Sequence, residues 1–296
     1  MNRPVISAVG HVAIVVADLE AAIHNATTIL GLRVSDRRDD GVDLTHGAPH
    51  HSLQYLAGES DALDHIGLVA ADAAALDEIR TRADAAGLRV LEETPLDPSL
   101  PEGFVLEGPE GFRFEIYRGM PDDEPAYAPT GVKPNRFGHV NITLADTAGM
   151  REFLGDVLDF RVSDVVAGGF LMRCNVDHHG IGVFPGPPKL HHYGYEVQST
   201  VELGQLGDRV DEAGGSLLWG PARHGAGENI AVYYLEPSGT VVEYYCDMLR
   251  IYDDESYVPV QWDPEDHKWI SRWAPWLPEG FMDLGVPLLT EPALRS

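Results

Sequence analysis

The sequence predicts an α+β protein made of four βαβββ modules that pair into two cupped, incomplete barrels. Three observations carry that expectation: segments recur at a near-constant offset, each half divides again into two strand–helix units, and Gly or Pro punctuates short β-rich runs behind every helix. Val9-Gly10-His11-Val12 returns as Phe137-Gly138-His139-Val140, Arg33-Val34-Ser35-Asp36 as Arg161-Val162-Ser163-Asp164, and His50-His51 as His178-His179, each 128 residues later. Asp64-His65-Ile66-Gly67 aligns with His191-His192-Tyr193-Gly194 at 127, and Phe114-Glu115-Ile116-Tyr117 with Val242-Glu243-Tyr244-Tyr245 at 128. Chance does not hold register over so many points.

The first unit runs from Val9 to Val16, with Asp18 as helix N-cap, a helix through Ile29, and Gly31 as its stop. The second takes His65 to Val69, a helix from about Asp72, and Gly87; the third takes Phe137 to Leu144, Asp146, and a helix to about Leu158. The fourth takes Leu190 to Val197, Ser199 or Thr200 as cap, and Gly214-Gly215. One module's helix covers only one face of its sheet, so two modules must pair around a concave face able to hold a ligand. The predicted organisation is a first pair over residues 1–120, a proline-rich linker over 121–134, a second pair over 135–250, and a tail over 251–296. The tail, with Trp262, Trp269, Trp273 and Trp276 among prolines and acids, reads as a packed cover or a subunit contact, so a homo-oligomer is expected.

A chain of 296 residues suits two domains plus an appendage. With 47 acidic against 21 basic side chains the formal charge is −26, a surface that repels phosphate backbones and anionic headgroups; neither nucleic acid nor a membrane is expected as a partner. Cys174 and Cys246 cannot form a disulfide framework, and neither a secretory h-region nor a run of about 18 apolar residues is present, so a cytoplasmic location is expected.

Candidate chemistry lies in the second half. The two-residue period of Phe137–Leu144 puts His139, Asn141 and Thr143 on one face, against Val140, Ile142 and Leu144 on the other. In Leu190–Val197 the same parity groups His192 with Gly194 and Glu196, and His191 with Tyr193, Tyr195 and Val197. Glu243 sits among β-branched and aromatic residues, where an isolated carboxylate is costly to bury. A packing role explains each residue singly: satisfied core histidines, and a carboxylate paired with arginine. Two histidines and a carboxylate at duplicated positions on three strands instead match the facial arrangement that holds non-haem Fe(II) and leaves open positions for substrate and oxygen.

At this point the chain resembles the type I extradiol ring-cleaving dioxygenases of the vicinal oxygen chelate superfamily, over roughly residues 5–250. Asp177-His178-His179-Gly180-Ile181-Gly182 resembles the family's first catalytic-histidine motif, with His179 in the catalytic position and His178 an exposed neighbour. Gly220-Pro221-Ala222-Arg223-His224-Gly225 resembles the second, Tyr233 stands ten residues before Glu243, and Glu236-Pro237-Ser238-Gly239 resembles the turn before the ligand strand. The resemblance implies a glyoxalase-like fold and a catecholic substrate opened by O2 beside one hydroxyl. It implies Fe(II), with Mn(II) second, on His139, His192 and Glu243. His179 would steady charge developing on oxygen and deliver a proton for O–O cleavage, Tyr233 and His224 would bond the substrate oxygens, and Asn141 would orient substrate or oxygen. Trp219 stands where relatives acting on carboxylated catechols carry arginine, which points to an apolar or aromatic substituent. Gly227 stands where the biphenyl-type branch carries aspartate, so neither branch fits closely.

The first half carries His11, His65 and Glu115 at the ligand positions and His51 opposite His179. Val105 stands where Tyr233 maps, and no histidine between Leu96 and Gly103 matches His224, so a vestigial cup is expected there. Two other functions compete. A glyoxalase-like isomerase or epimerase wants a fourth protein ligand or a second cup carboxylate, and a ligand-sequestering protein would bind without chemistry. Neither uses His179, His224 and Tyr233.

Overall fold

A computed structural model describes residues 4–123, 133–273 and 277–290; most of the proline-rich linker (124–132) and Trp276 lie outside the described residues. The first half contains β1 (Ile6–Val16), α1 (Leu19–Thr28), β2 (Arg33–Arg38), β3 (Gly41–Thr45) and β4 (Leu53–Ala57). It continues with β5 (Ala62–Ala70), α2 (Ala73–Ala85), β6 (Val90–Glu92), β7 (Glu102–Glu107) and β8 (Arg113–Arg118). The second half repeats the order with β9 (Arg136–Leu144), α3 (Thr147–Glu152), β10 (Arg161–Val166), β11 (Gly169–Arg173) and β12 (Ile181–Pro185). Then come β13 (Lys189–Glu196), α4 (Thr200–Glu212), β14 (Trp219–Arg223), β15 (Ile230–Leu235) and β16 (Val241–Cys246), and the tail adds β17 (Val260–Gln261) and β18 (Val286–Pro287).

The helices start where the sequence places them. Asp18, Asp72 and Asp146 each accept from a backbone N–H three residues on, and Ser199 forms a capping box with Glu202, so orphan donors of all four first turns are satisfied. The third helix runs to Leu158 as expected, its second half, Phe153–Val157, winding as a π-helical turn with more residues per turn than an α-helix. Phe153 there packs on Phe114 of the first half, ring centroids 5.2 Å apart.

Each half is one sheet in which the first strands of its two modules meet antiparallel at the centre. The orders are β2-β3-β4-β1-β5-β8-β7-β6 and β10-β11-β12-β9-β13-β16-β15-β14, with β17 added beside β10 and β18 pairing β13. The histidine-bearing strands are therefore central, and β16, with its glutamate, lies parallel beside β13. Val140, Ile142 and Leu144 enter a core shared with Leu154, Leu206 and Val210 of the helices, leaving His139 and Asn141 on the opposite, concave face. That core runs through both halves. Between them lies one polar hub: Glu236 accepts from Tyr55 Oη (2.6 Å), Tyr193 Oη (2.9 Å) and Asn25 Nδ2 (3.1 Å).

Candidate active site

Register assembles the triad. Gly194 on β13 is the cross-strand partner of both His139 on β9 and Glu243 on β16, while His192 projects two residues away on the same face. Gly194 is required sterically, since a Cβ there would stand 2.3–2.7 Å from the His139 ring. All three ligand-type side chains are buried, and their donor atoms lie within 4.8 Å of one another. Glu243 Oε2 is 3.1 Å from His139 Nε2 and 3.2 Å from His192 Nε2. Among the described residues no lysine or arginine pairs with Glu243. Burial pushes its carboxyl up, and the two imidazoles overcome that, holding it well below the usual range.

The tail sets which nitrogen of His191 and His192 carries the proton. The carbonyl of Phe281 accepts from His191 Nε2 (2.8 Å), leaving His191 Nδ1 to accept from His192 Nδ1–H (2.7 Å). The Nε2 lone pair of neutral His192 then faces the carboxylate oxygen of Glu243 with no proton between them, a clash that a cation removes. Octahedral donors about 2.1 Å from one ion lie roughly 3 Å apart, the spacing seen at these oxygens and nitrogens, so the set fits a divalent metal. Glu243 Oε1 is held by Asn229 Nδ2 at 2.8 Å. Sequence reasoning missed Asn229, which carries no signal beyond its place in a Gly-rich turn.

The three expected catalytic groups surround this centre. His179 lies with its ring centroid 4.8 Å from that of His139. Its neighbour His178, expected to be exposed, is 1% exposed and works on it. Asp164 lies 3.4 Å from His178 Nε2, so His178 Nδ1 is free to accept from His179 Nδ1–H at 3.1 Å. The expectation failed because strand parity does not report burial by the tail, whose Trp262 Nε1 donates to Asp164 at 2.7 Å. Burial, then the imidazoles of His139 and His178, keep His179 well below its usual pKa, hence neutral. His224 donates from Nδ1 to the tail carbonyl of Ile270, so its Nε2 accepts the Tyr233 hydroxyl at 2.7 Å. Burial and the charge of Glu243 hold that phenol protonated, well above its usual pKa.

Asn141 is in the cavity wall with its Oδ1 buried and unpaired by protein, and Gly182 makes room for it, since a Cβ there would lie 2.6 Å from Asn141 Nδ2. The rest of the wall is Leu171, Phe184, Ala226, Trp269, Ile270, Phe281 and Met282, and Glu243 is the one carboxylate among the described lining residues. Trp219 is not in that wall, contrary to the expected substrate contact. It stacks on Tyr233 (5.3 Å, 19°) and touches His224 and Phe281, one layer behind, because β14 lies beyond β15 from the centre. Trp269 and Phe281 of the tail supply the apolar surface instead, so the tail covers its own cup.

A family model described as Glyoxalase/Bleomycin resistance protein/Dioxygenase superfamily matches twice, over residues 8–116 and 136–244, and the chain belongs to that superfamily. Within it the chain is of the extradiol dioxygenase type, as its resemblance to that group implies. It is 29% identical over 282 residues to the biphenyl-2,3-diol 1,2-dioxygenase of Paraburkholderia xenovorans (strain LB400), covering 87% of this chain and 93% of the relative. It is 25% identical over 287 residues to the manganese-dependent 2,3-dihydroxybiphenyl 1,2-dioxygenase of Geobacillus genomosp. 3, covering 87% and 90%. The crystal structure of homoprotocatechuate 2,3-dioxygenase from Brevibacterium fuscum superposes with a TM-score of 0.89 at 21% identity, over 97% of this chain and 94% of that one, which establishes the shared fold.

Proposed function

We propose that the carboxy-terminal cup opens the ring of a catechol bearing an uncharged, apolar substituent, with O2 as co-substrate and Fe(II), or alternatively Mn(II), on His139, His192 and Glu243. The observation that carries this reading is the convergence of that triad with His179, the His224–Tyr233 pair and Asn141 on one cavity. When bound, the ion offers neighbouring positions to the catecholic oxygens and O2, acidifies the hydroxyls and passes electron density between ring and oxygen. The chain's own residues then manage protons and orientation. His179 Nε2, left unprotonated by the hydrogen bond at Nδ1, takes a substrate hydroxyl proton and returns it as the O–O bond breaks. Tyr233, whose hydroxyl donates to His224, accepts a substrate O–H at its phenol oxygen, and Asn141 Oδ1, unpaired by protein, is placed to accept from a further substrate donor. Both oxygen atoms enter the product, and the ring carbon–carbon bond beside one hydroxyl breaks.

An apolar substituent follows from the wall. Trp269, Phe184, Ile270 and Phe281 offer no cation to a carboxylate, so an ionised substituent would be desolvated without a partner. The two relatives named for biphenyl diols support a bicyclic substrate. The isomerase reading wants a fourth protein ligand or a second cup carboxylate; the described wall holds no second carboxylate, and that reading gives the His224–Tyr233 pair no task. Among the described residues no helix is long and apolar enough to cross a membrane; a cytoplasmic homo-oligomer belongs to the same proposal, and light scattering tests its assembly. The central test is to load Fe(II) anaerobically, add simple, bicyclic and carboxylated catechols, and admit O2. A coloured ring-fission product is expected, with kcat/KM for the carboxylated members at least ~10-fold lower. Silence across the panel in iron-loaded protein removes the reading.

A further inference from the structure

The amino-terminal triad brings three buried donor atoms together as the carboxy-terminal one does. His11 Nε2 lies 3.0 Å from His65 Nε2 and 3.1 Å from Glu115 Oε2, and His65 Nε2 lies 3.4 Å from that same oxygen; all three side chains are fully buried. These are again the separations of donors around one ion, about 3 Å. The outer partners point the same way. His65 Nδ1 donates to Asp64 Oδ2 at 2.7 Å, and Arg113 at 2.6 Å keeps Asp64 charged, the carboxylate–histidine pairing that turns the other ring nitrogen into a ligand. The other ring nitrogen, His65 Nε2, faces Glu115 Oε2, a buried carboxylate oxygen with no hydrogen-bond partner among the described residues. Gly67 makes the space, since a Cβ there would stand 2.1–2.5 Å from the His11 ring. The open side of the cup is filled: the backbone N–H groups of Leu96 and Asp97 hold Glu115 Oε1 at 2.5 and 3.3 Å. Asp97, 2% exposed, is bonded in turn by Gln54.

We propose that the amino-terminal half holds a second divalent transition-metal ion on His11, His65 and Glu115, a closed centre that ties its two modules together and does no ring chemistry. The inference stands independently of the ring-cleavage reading. It is tested on the full chain, stripped with chelator, reloaded separately with Zn(II) and Fe(II) under anaerobic conditions, desalted, and counted for metal per chain. His139→Ala, which breaks only the carboxy-terminal triad, is expected to keep about one ion per chain, and re-addition of Zn(II) to its stripped form to raise Tm by roughly 5 °C. Adding Glu115→Gln, which keeps side-chain shape, or His65→Ala, is expected to abolish both the retained ion and the Tm shift. A folded His139→Ala chain with no ion, or a double variant that still holds one, overturns the proposal. A metal-free cluster, with His65 an imidazolium between Asp64 and Glu115, is what the first of those outcomes would leave. Iron-loaded wild type that cleaves catechols while His139→Ala holds no metal would sink this inference alone.

Discussion

Two of the three candidate ligands of the carboxy-terminal triad, and the candidate catalytic His179, are each held by a further residue, whereas His139 Nδ1 has no hydrogen-bond partner among the described residues. His191 fixes the tautomer of His192, Asn229 fixes one oxygen of Glu243, and Asp164 acts through His178 on His179. This division sharpens the expectation for His179→Phe. Phenylalanine keeps a ring in the same place but neither accepts nor returns a proton, so metal content and anaerobic catechol binding should be unchanged while kcat falls ~10²–10⁴-fold. Turnover within a few-fold of wild type would remove the proton-transfer role. The candidate ligands and catalytic groups were legible because their residue types stand at duplicated positions on strands of readable parity. Asn229 and Asp164 were not, since each acquires meaning only from a neighbour 14 residues away in chain or from the tail.

Among the elements, the tail contributes more to the site than its irregular sequence suggests. Among its described residues it forms two short strands, yet it supplies Trp269, Ile270, Phe281 and Met282 to the wall and two carbonyls that set histidine tautomers. Expectation named a cover or a subunit contact, and the tail does pack on its own chain, pairing with β10 and β13 and lining the cavity. His191 links the Phe281 carbonyl to the candidate ligand His192, so His191→Leu should weaken metal binding 10–100-fold with little change in fold. Competition titration against a fluorescent chelator reads this; unchanged affinity would mean that His192 holds its tautomer without help. Helix starts followed from cap chemistry, whereas the π-turn after α3, which brings Phe153 against Phe114 of the other half, carries no such local signal.

At the scale of the molecule, the halves share one apolar core and meet at one buried carboxylate, Glu236, whose value to the fold lies in that contact rather than in the turn it begins. Burial raises its pKa from the usual 4.5 to about 7, against the three donors that lower it. The neutral form is then favoured in the native state, so this contribution is fully present below pH 4.5 and is lost as pH rises through 7, by at most about 3 kcal/mol. Glu236→Gln keeps shape and hydrogen-bonding capacity without the ionisable group. The wild type should therefore lose Tm relative to Glu236→Gln between pH 5 and 8; parallel melting curves would show that Glu236 titrates as an ordinary carboxyl.

The sequence by itself determined the fourfold module, the order of its strands and helices, and which side chains share a concave face. Those properties follow from local periodicity, cap and turn chemistry, and from a repeat whose positions stay in step. Only the tertiary structure decided that Trp219 stands behind Tyr233, that His178 is buried, and which ring nitrogen of His179, His192 and His224 carries the proton. Burial and tautomer depend on what packs across a strand from far along the chain, and parity along one strand contains no record of that.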